Sequence, residues 1–180
     1  MKRFSKRRST QSGASLMEFA LVVPILFYLF LNTVNFAGFF FAWITIANAA
    51  RAGADYRMLT PLFVSAPATP TAPQVGAVVL SELFALPNEG SAVVRVCSRT
   101  WAPDGSSTST ICETPVGSGG TFTDPPLEDL GVTPEAKFFP TLWVDVQYTY
   151  LPLIPMFQMP VLGVNLTLPP STITRQAVIR

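Results

Sequence analysis

The chain has 180 residues, with 12 Lys and Arg against 11 Asp and Glu and no histidine. That length accommodates one modest domain plus a membrane anchor. A formal net charge of +1 argues against a nucleic-acid partner, and the missing histidine excludes Ser-His-Asp catalysis. Two cysteines without histidine do not complete a zinc site, so no metal is expected.

The charge is unevenly placed. Residues 1–13 (MKRFSKRRSTQSG) carry Lys2, Arg3, Lys6, Arg7 and Arg8 and no acid, and read as a flexible basic leader. The rest is net acidic and offers no basic surface to an acidic partner. From Phe19 to Ala50 no side chain is charged, a run of 32 residues. About 20 apolar residues span a hydrocarbon core, so the run can cross a bilayer and continue about three turns beyond it. A secretory signal peptide would have a shorter apolar region closed by a small-residue cleavage site. Here the small-residue candidates, Ala47 to Ala50, stand at the far end of the run. Five cations precede the segment, and the far flank has Arg51 and Arg57 with Asp55 between them. The positive-inside rule therefore predicts a cytoplasmic N-terminus, with everything after Arg51 outside the cytoplasm.

Residues 14–60 read as one long transmembrane and extended helix. Pro24 falls where a membrane helix tolerates a kink, and Pro61 disfavours helix at the residue before it. Asn35, Gly38, Ala42, Thr45 and Asn48 recur at spacings of three and four, with Arg51 continuing the series. Small and amide side chains on one face allow close helix approach in a membrane, so this face is expected to pack against another helix. The alternative is that the amides and Arg51 mark the emergence of the helix into water, with Arg51 snorkelling.

Residues 61–73 (PLFVSAPATPTAP being 61–73) form a semi-rigid Pro/Ala/Thr linker separating the helix from an outer module at 74–180. Gln74 to Leu86 has helical spacing at Val75, Val78, Val79, Leu83 and Leu86 and predicts a short amphipathic helix. Ala92 to Cys97 and Thr108 to Cys112 predict strands, with Ala102-Pro103-Asp104-Gly105 as the turn between them. A hairpin about that turn brings Cys97 across from Cys112, and in an oxidising compartment one disulfide is expected. Pro115 to Pro134 reads as a long loop. Leu142 to Tyr150 alternates, with Leu142, Val144, Val146, Tyr148 and Tyr150 on one face and Trp143, Asp145, Gln147 and Thr149 on the other. Leu151 to Pro170 holds five prolines and predicts a large apolar loop with no strand. Its Ile154, Met156, Phe157, Met159 and Leu162 either form a patch for a partner, lie near the bilayer, or fold onto the sheet. Ser171 to Ile179 predicts a last strand. The fold class is α+β: a long N-terminal transmembrane helix, then a small antiparallel β-sheet module with a short helix.

Glu18 is the residue that composition does not explain. A carboxylate at the edge of a bilayer-length segment is costly unless paired. It stands in Gly13-Ala14-Ser15-Leu16-Met17-Glu18-Phe19, after the basic leader. That string resembles a type IV prepilin peptidase site, and its Glu-Phe pair resembles the variant of tight-adherence (Flp pilus) systems. With Ile46-Ala47-Asn48-Ala49-Ala50-Arg51-Ala52-Gly53-Ala54 following the apolar run, residues 12–54 resemble the TadE-like family. Val144-Asp145-Val146-Gln147-Tyr148 and the last strand fit that family more weakly. The resemblance implies a pseudopilin-like minor component of Flp pilus assembly in the bacterial inner membrane, working by helix packing, with no cofactor and no small-molecule substrate. It implies cleavage after Gly13 by a prepilin peptidase, making Ala14 the first residue, with Glu18 and Phe19 completing the processing motif. Other pilins, pseudopilins and pilus assembly proteins are the implied partners. The alternative is an unprocessed single-pass envelope structural protein anchoring its outer module. An enzyme is disfavoured: the paired carboxylates Glu128-Asp129 read as a solvated turn, and no glycine-rich phosphate loop appears.

Overall fold

The structure, a computed structural model, describes residues 11–59, 69–101, 108–125, 141–154, 158–159, 164–165 and 169–179. The basic residues of the leader, most of the linker, the Ala102–Gly105 turn, the Glu128-Asp129 pair, Met156, Phe157 and Leu162 lie outside these. Helix α1 spans Gln11–Leu59 and is continuous through Pro24. It therefore starts before Gly13, earlier than the expected start at residue 14. Residues Ser15–Met58 are long and apolar enough to cross a membrane. After Pro24 no further proline interrupts the helix, and good helix formers such as Ala and Leu recur along its 49 residues.

Helix α2 spans Ala72–Leu83, starting two residues earlier and ending three earlier than its spacing predicts. Thr71 precedes it, its N–H donating to Gln74 Oε1 at 2.9 Å, while Pro73 occupies the first turn where no backbone donor is needed. Val75, Val79, Leu83 and Leu86 are buried as their spacing requires. Gly76, which weakens the helical pattern, has a physical reason. A Cβ there would meet Val116 Cγ2 at 3.0 Å and Pro115 Cγ at 3.1 Å, so α2 crosses the hairpin too closely for a side chain.

Strands β1 (Val93–Trp101), β2 (Thr108–Val116), β3 (Thr141–Tyr150) and β6 (Ser171–Ile179) form one sheet in the order β2-β1-β3-β6. All three pairings are antiparallel. The first two strands are longer than the valine-rich and β-branched runs predict, because the hairpin pairing extends to Trp101 and Val116. Cys97 pairs with Cys112 across this hairpin, and the two form a disulfide. Between β3 and β6, Gln158–Met159 (β4) pairs with Val164–Asn165 (β5). The expectation of a wholly strandless loop there is corrected. Prolines bracket these two-residue strands but leave four amides free to form a minimal ladder.

The core lies between the inner face of the sheet and the two helices. Val94, Val96, Val144, Val146, Tyr148 and Tyr150 meet Ala42, Ile46, Ala49, Ala50 and Ala54 of α1 and the buried face of α2. The second half of α1 is thus a structural member of the module, and the expected separation of helix and module by a linker does not describe the packing. On the outer face of β3, Trp143 and Asp145 are buried as deeply as their inward neighbours. Part of the reason is the segment Gly117–Pro125, which lies across that face. Gly117 turns it back at φ 69°, where a Cβ would sit 2.7 Å from the Ala92 carbonyl. Thr121 N–H then donates to Gln147 Oε1, and Arg95 lies 4.9 Å from the centre of the Phe122 ring.

Candidate functional site

At the start of α1, Gly13, Glu18 and Phe19 are all exposed, and Ala14 follows Gly13 within the same first turns. Nothing lies within 4 Å of a Cβ built on Gly13, so the backbone is open on that side. The Gly13–Ala14 bond nonetheless lies inside the helix. A glycine costs about 1 kcal/mol relative to alanine and weakens a first turn without abolishing it. Ala14 and Glu18 are four residues apart in the helix, about one turn.

The residues expected to pack on another helix divide into two groups. Asn35 and Ala42 are fully buried, against the protein's own module. Asn35 Nδ2 donates to the Ile154 carbonyl at 3.3 Å, and Ile154 N–H donates to Asn35 Oδ1 at 2.9 Å. Tyr150 O–H donates to the Asn35 backbone carbonyl at 2.8 Å. Beside it, a Cβ on Gly38 would come within 2.8 Å of Leu153 Cδ1 and 2.9 Å of the Tyr150 hydroxyl. The small face of α1 is therefore occupied within the chain along this stretch. Thr45 is half-buried, with its hydroxyl donating to the Phe41 carbonyl one turn back. Asn48 and Arg51 remain exposed.

The string from Ile46 to Ala54 resolves in the same way. Ile46, Ala49, Ala50, Gly53 and Ala54 face inward, and a Cβ on Gly53 would meet Val79 Cγ2 at 2.5 Å and Val144 Cγ1 at 3.6 Å. Gly53 lets α2 and the sheet close on α1. Arg175 of β6 reaches the same helix and lies 3.6 Å from the centre of the Trp43 ring.

On the other side of the sheet, Asp145 forms a buried polar cluster that sequence reasoning missed. Its Oδ2 accepts from Arg95 Nε at 2.8 Å and its Oδ1 from Gln176 Nε2 at 2.6 Å. Arg95 also pairs with Asp124 at 2.9 Å. Burial pushes the Asp145 carboxyl above the usual range, and the hydrogen bonds from Gln176 and Arg95 only partly oppose this. The signal was the alternation of LWVDVQYTY, which puts Asp145 between Trp143 and Gln147 but cannot supply its partners. Among the described residues no His/Cys/Asp/Glu group is arranged to hold a metal ion. The cluster pins the Gly117–Pro125 segment to the sheet, and its groups are paired with one another.

The feature that stands apart chemically is the first half of α1. Leu16, Met17, Phe19, Leu21, Ile25, Leu26, Phe27, Leu29 and Phe30 are all exposed. Residues 13–55 match the family model described as TadE-like protein. The match covers the exposed half of α1 and the packed half through Asp55, and agrees with the family that the motif resembles. No curated protein and no solved structure matches the chain. Among the described residues, the sheet module and one N-terminal helix long and apolar enough to cross a membrane describe an α+β protein, which fits a single-pass membrane protein.

Proposed function

We propose that the protein is a pseudopilin-like minor component of Flp pilus assembly, inserted in the inner membrane with its N-terminus cytoplasmic and acting without catalysis. The observation that carries this reading is the division of α1. Its first half is an exposed apolar helix headed by the Gly13–Phe19 motif, and its second half is built into a folded module. Such a helix can enter the membrane and pack beside other subunits there, while the module remains outside the cytoplasm. A prepilin peptidase cleaves after Gly13 in this reading. The new Ala14 amine then lies one turn from Glu18, and a carboxylate at a low-dielectric edge is less costly beside a cation. Because Asn35, Gly38 and Ala42 are engaged with the module, contacts to pilins and other assembly proteins fall to the exposed first half of α1 and to Asn48 and Arg51.

Intact mass of the membrane-extracted protein tests the reading. A chain beginning at Ala14 is expected in a host with the cognate peptidase, and Gly13→Val should block processing by putting a branched side chain at the scissile bond. A wild-type chain that keeps Met1 to Gly13 in such a host would favour an unprocessed envelope structural protein instead.

A further inference from the structure

We propose that the end of the module nearest the membrane span rests in the surface of the same bilayer, with lipid at the headgroup–acyl boundary as its occupant. The orientation of the sheet puts that end there. Val144 lies beside Gly53 and Tyr150 bonds to Asn35, so β3 runs antiparallel to α1 and points back toward the exposed apolar half. Tyr150 pairs with Ser171, so β6 begins where β3 ends. Leu151–Ile154, which follow β3, and Pro169-Pro170, which precede β6, therefore stand on the membrane side of the module, at the two ends of the Leu151 to Pro170 sequence. That sequence contains no charged residue.

The length of the apolar surface points the same way. Large apolar side chains are exposed on α1 from Leu16 to Ile44. At 1.5 Å per residue that is about 43 Å, against about 30 Å for a hydrocarbon core. The excess, about 13 Å, corresponds to Phe36–Ile44, which stands beside the module tip. Phe36, Phe40, Phe41 and Trp43 are exposed there, and aromatic rings concentrate at membrane interfaces. Leu151 and Leu153, on the tip itself, are 44% and 55% exposed. Between helix and tip, a cleft of about 230 Å³ is lined by Phe36, Phe39, Tyr150, Pro169 and Ser171. These surfaces continue the span up to Arg175, whose guanidinium lies 3.6 Å from the centre of the Trp43 ring. The first charged side chain along α1 after Glu18 is Arg51, two turns beyond Ile44. On the neighbouring side Glu89 bounds the apolar footprint, in the turn whose Asn88 and Ser91 bond to Thr149. A second protein would also cover apolar surface, but continuity with the span selects lipid, which meets the exposed face of the emerging helix and the module tip beside it.

The proposal rests on the reading of α1 as a single membrane span, and the test separates the two. The full chain carrying a nitroxide label on Leu153→Cys, or on Leu151→Cys as a second position, is reconstituted into vesicles of phosphatidylethanolamine and phosphatidylglycerol. Cys97 and Cys112 are bridged, which leaves the new thiol for labelling. Collision with oxygen, which partitions into lipid, is compared with collision with a water-soluble nickel chelate. Labels on Leu26→Cys, within the span, and Ser109→Cys, at the far end of the hairpin, set the limits. The expected result at 151 and 153 is oxygen collision exceeding chelate collision, with Ser109→Cys showing the reverse. Tip labels as open to the chelate as Ser109→Cys, with Leu26→Cys in hydrocarbon, overturn the docking and leave the span intact. A chelate-accessible Leu26→Cys overturns the span and the docking together. Tip labels shielded from both probes, with spin–spin broadening between copies, assign the surface to a second copy of the chain and also overturn the proposal.

Discussion

Replacing Asn35 with alanine removes the partners of the Ile154 main-chain N–H and C=O at once. The Asn35 amide accepts from that N–H and donates to that carbonyl, and it is itself fully buried. A buried polar group left without a partner costs about 1–3 kcal/mol. Asn35→Ala should therefore lower the unfolding free energy of the detergent-solubilised protein by about that amount, and an unchanged melting temperature would refute the assignment. Asp145 predicts an effect of pH. Its folded-state carboxyl is raised above the ordinary value chiefly by burial. A carboxyl so shifted holds more protons folded than unfolded in the interval between the two values, so its contribution to stability is full below the unfolded pKa of about 3.9 and declines as pH rises through the folded one. Asp145→Asn removes that titration while keeping an oxygen to accept from Arg95. The stability of the variant minus that of wild type should rise as pH increases from about 4. Urea midpoints of the two proteins that stay parallel across this range would show that Asp145 does not titrate in it.

At the scale of elements, the tightest approach is α2 and β3 against α1 at Gly53. Gly53→Val would place its Cβ 2.5 Å from Val79 Cγ2, and valine at position 79 is itself stiff about χ1. Overpacking of this kind costs about 1–3 kcal/mol, more than the few tenths gained by removing a glycine from a helix interior. Gly53→Val should unfold at lower denaturant than wild type, with Ala52→Val, at the neighbouring half-buried position, as control. Equal midpoints for Gly53→Val and wild type would count against the close approach. The elements themselves were largely legible. The uncharged run marks the middle of α1 and Pro61 its end, the spacing of Val75, Val79 and Leu83 marks α2, and the alternation from Leu142 to Tyr150 marks β3. What the small residues of α1 face was not legible. A stripe of Asn, Gly and Ala permits close approach of any partner, and only tertiary structure says that the partner is Tyr150 and Leu153 of the same chain. The cover on the outer face of β3 was hidden for a related reason. A Gly/Pro/Thr-rich segment reads as a loop whether it lies in water or across a sheet, and Phe122 and Asp124 gain meaning only beside Arg95.

For the whole molecule, the decisive quantity is how much of α1 belongs to the fold and how much to the membrane. From Ser15 to Val34 the helix is about 30 Å long, a bilayer's hydrocarbon thickness. From Asn35 onward it contributes Ala42, Ile46, Ala49, Ala50 and Ala54 to the core. Removing residues 1–34 should therefore leave the core whole, whereas removing residues 1–59 uncovers Val75, Val79, Leu83, Val144, Val146 and Tyr148. Exposing a large apolar side chain costs about 1.5–3 kcal/mol, so partial exposure of several matches the whole net stability of a domain, about 5–15 kcal/mol. The disulfide between Cys97 and Cys112 does not compensate, because it staples β1 to β2 at the sheet edge, away from the uncovered face. In the same mild detergent, which shields Phe36, Phe40 and Phe41, a fragment of residues 35–180 should unfold cooperatively. A fragment of residues 60–180 should show weak near-ultraviolet circular dichroism and no cooperative thermal transition. A cooperative transition in the shorter fragment would make α1 a detachable stalk, and the partition of the helix into a membrane half and a core half would fail.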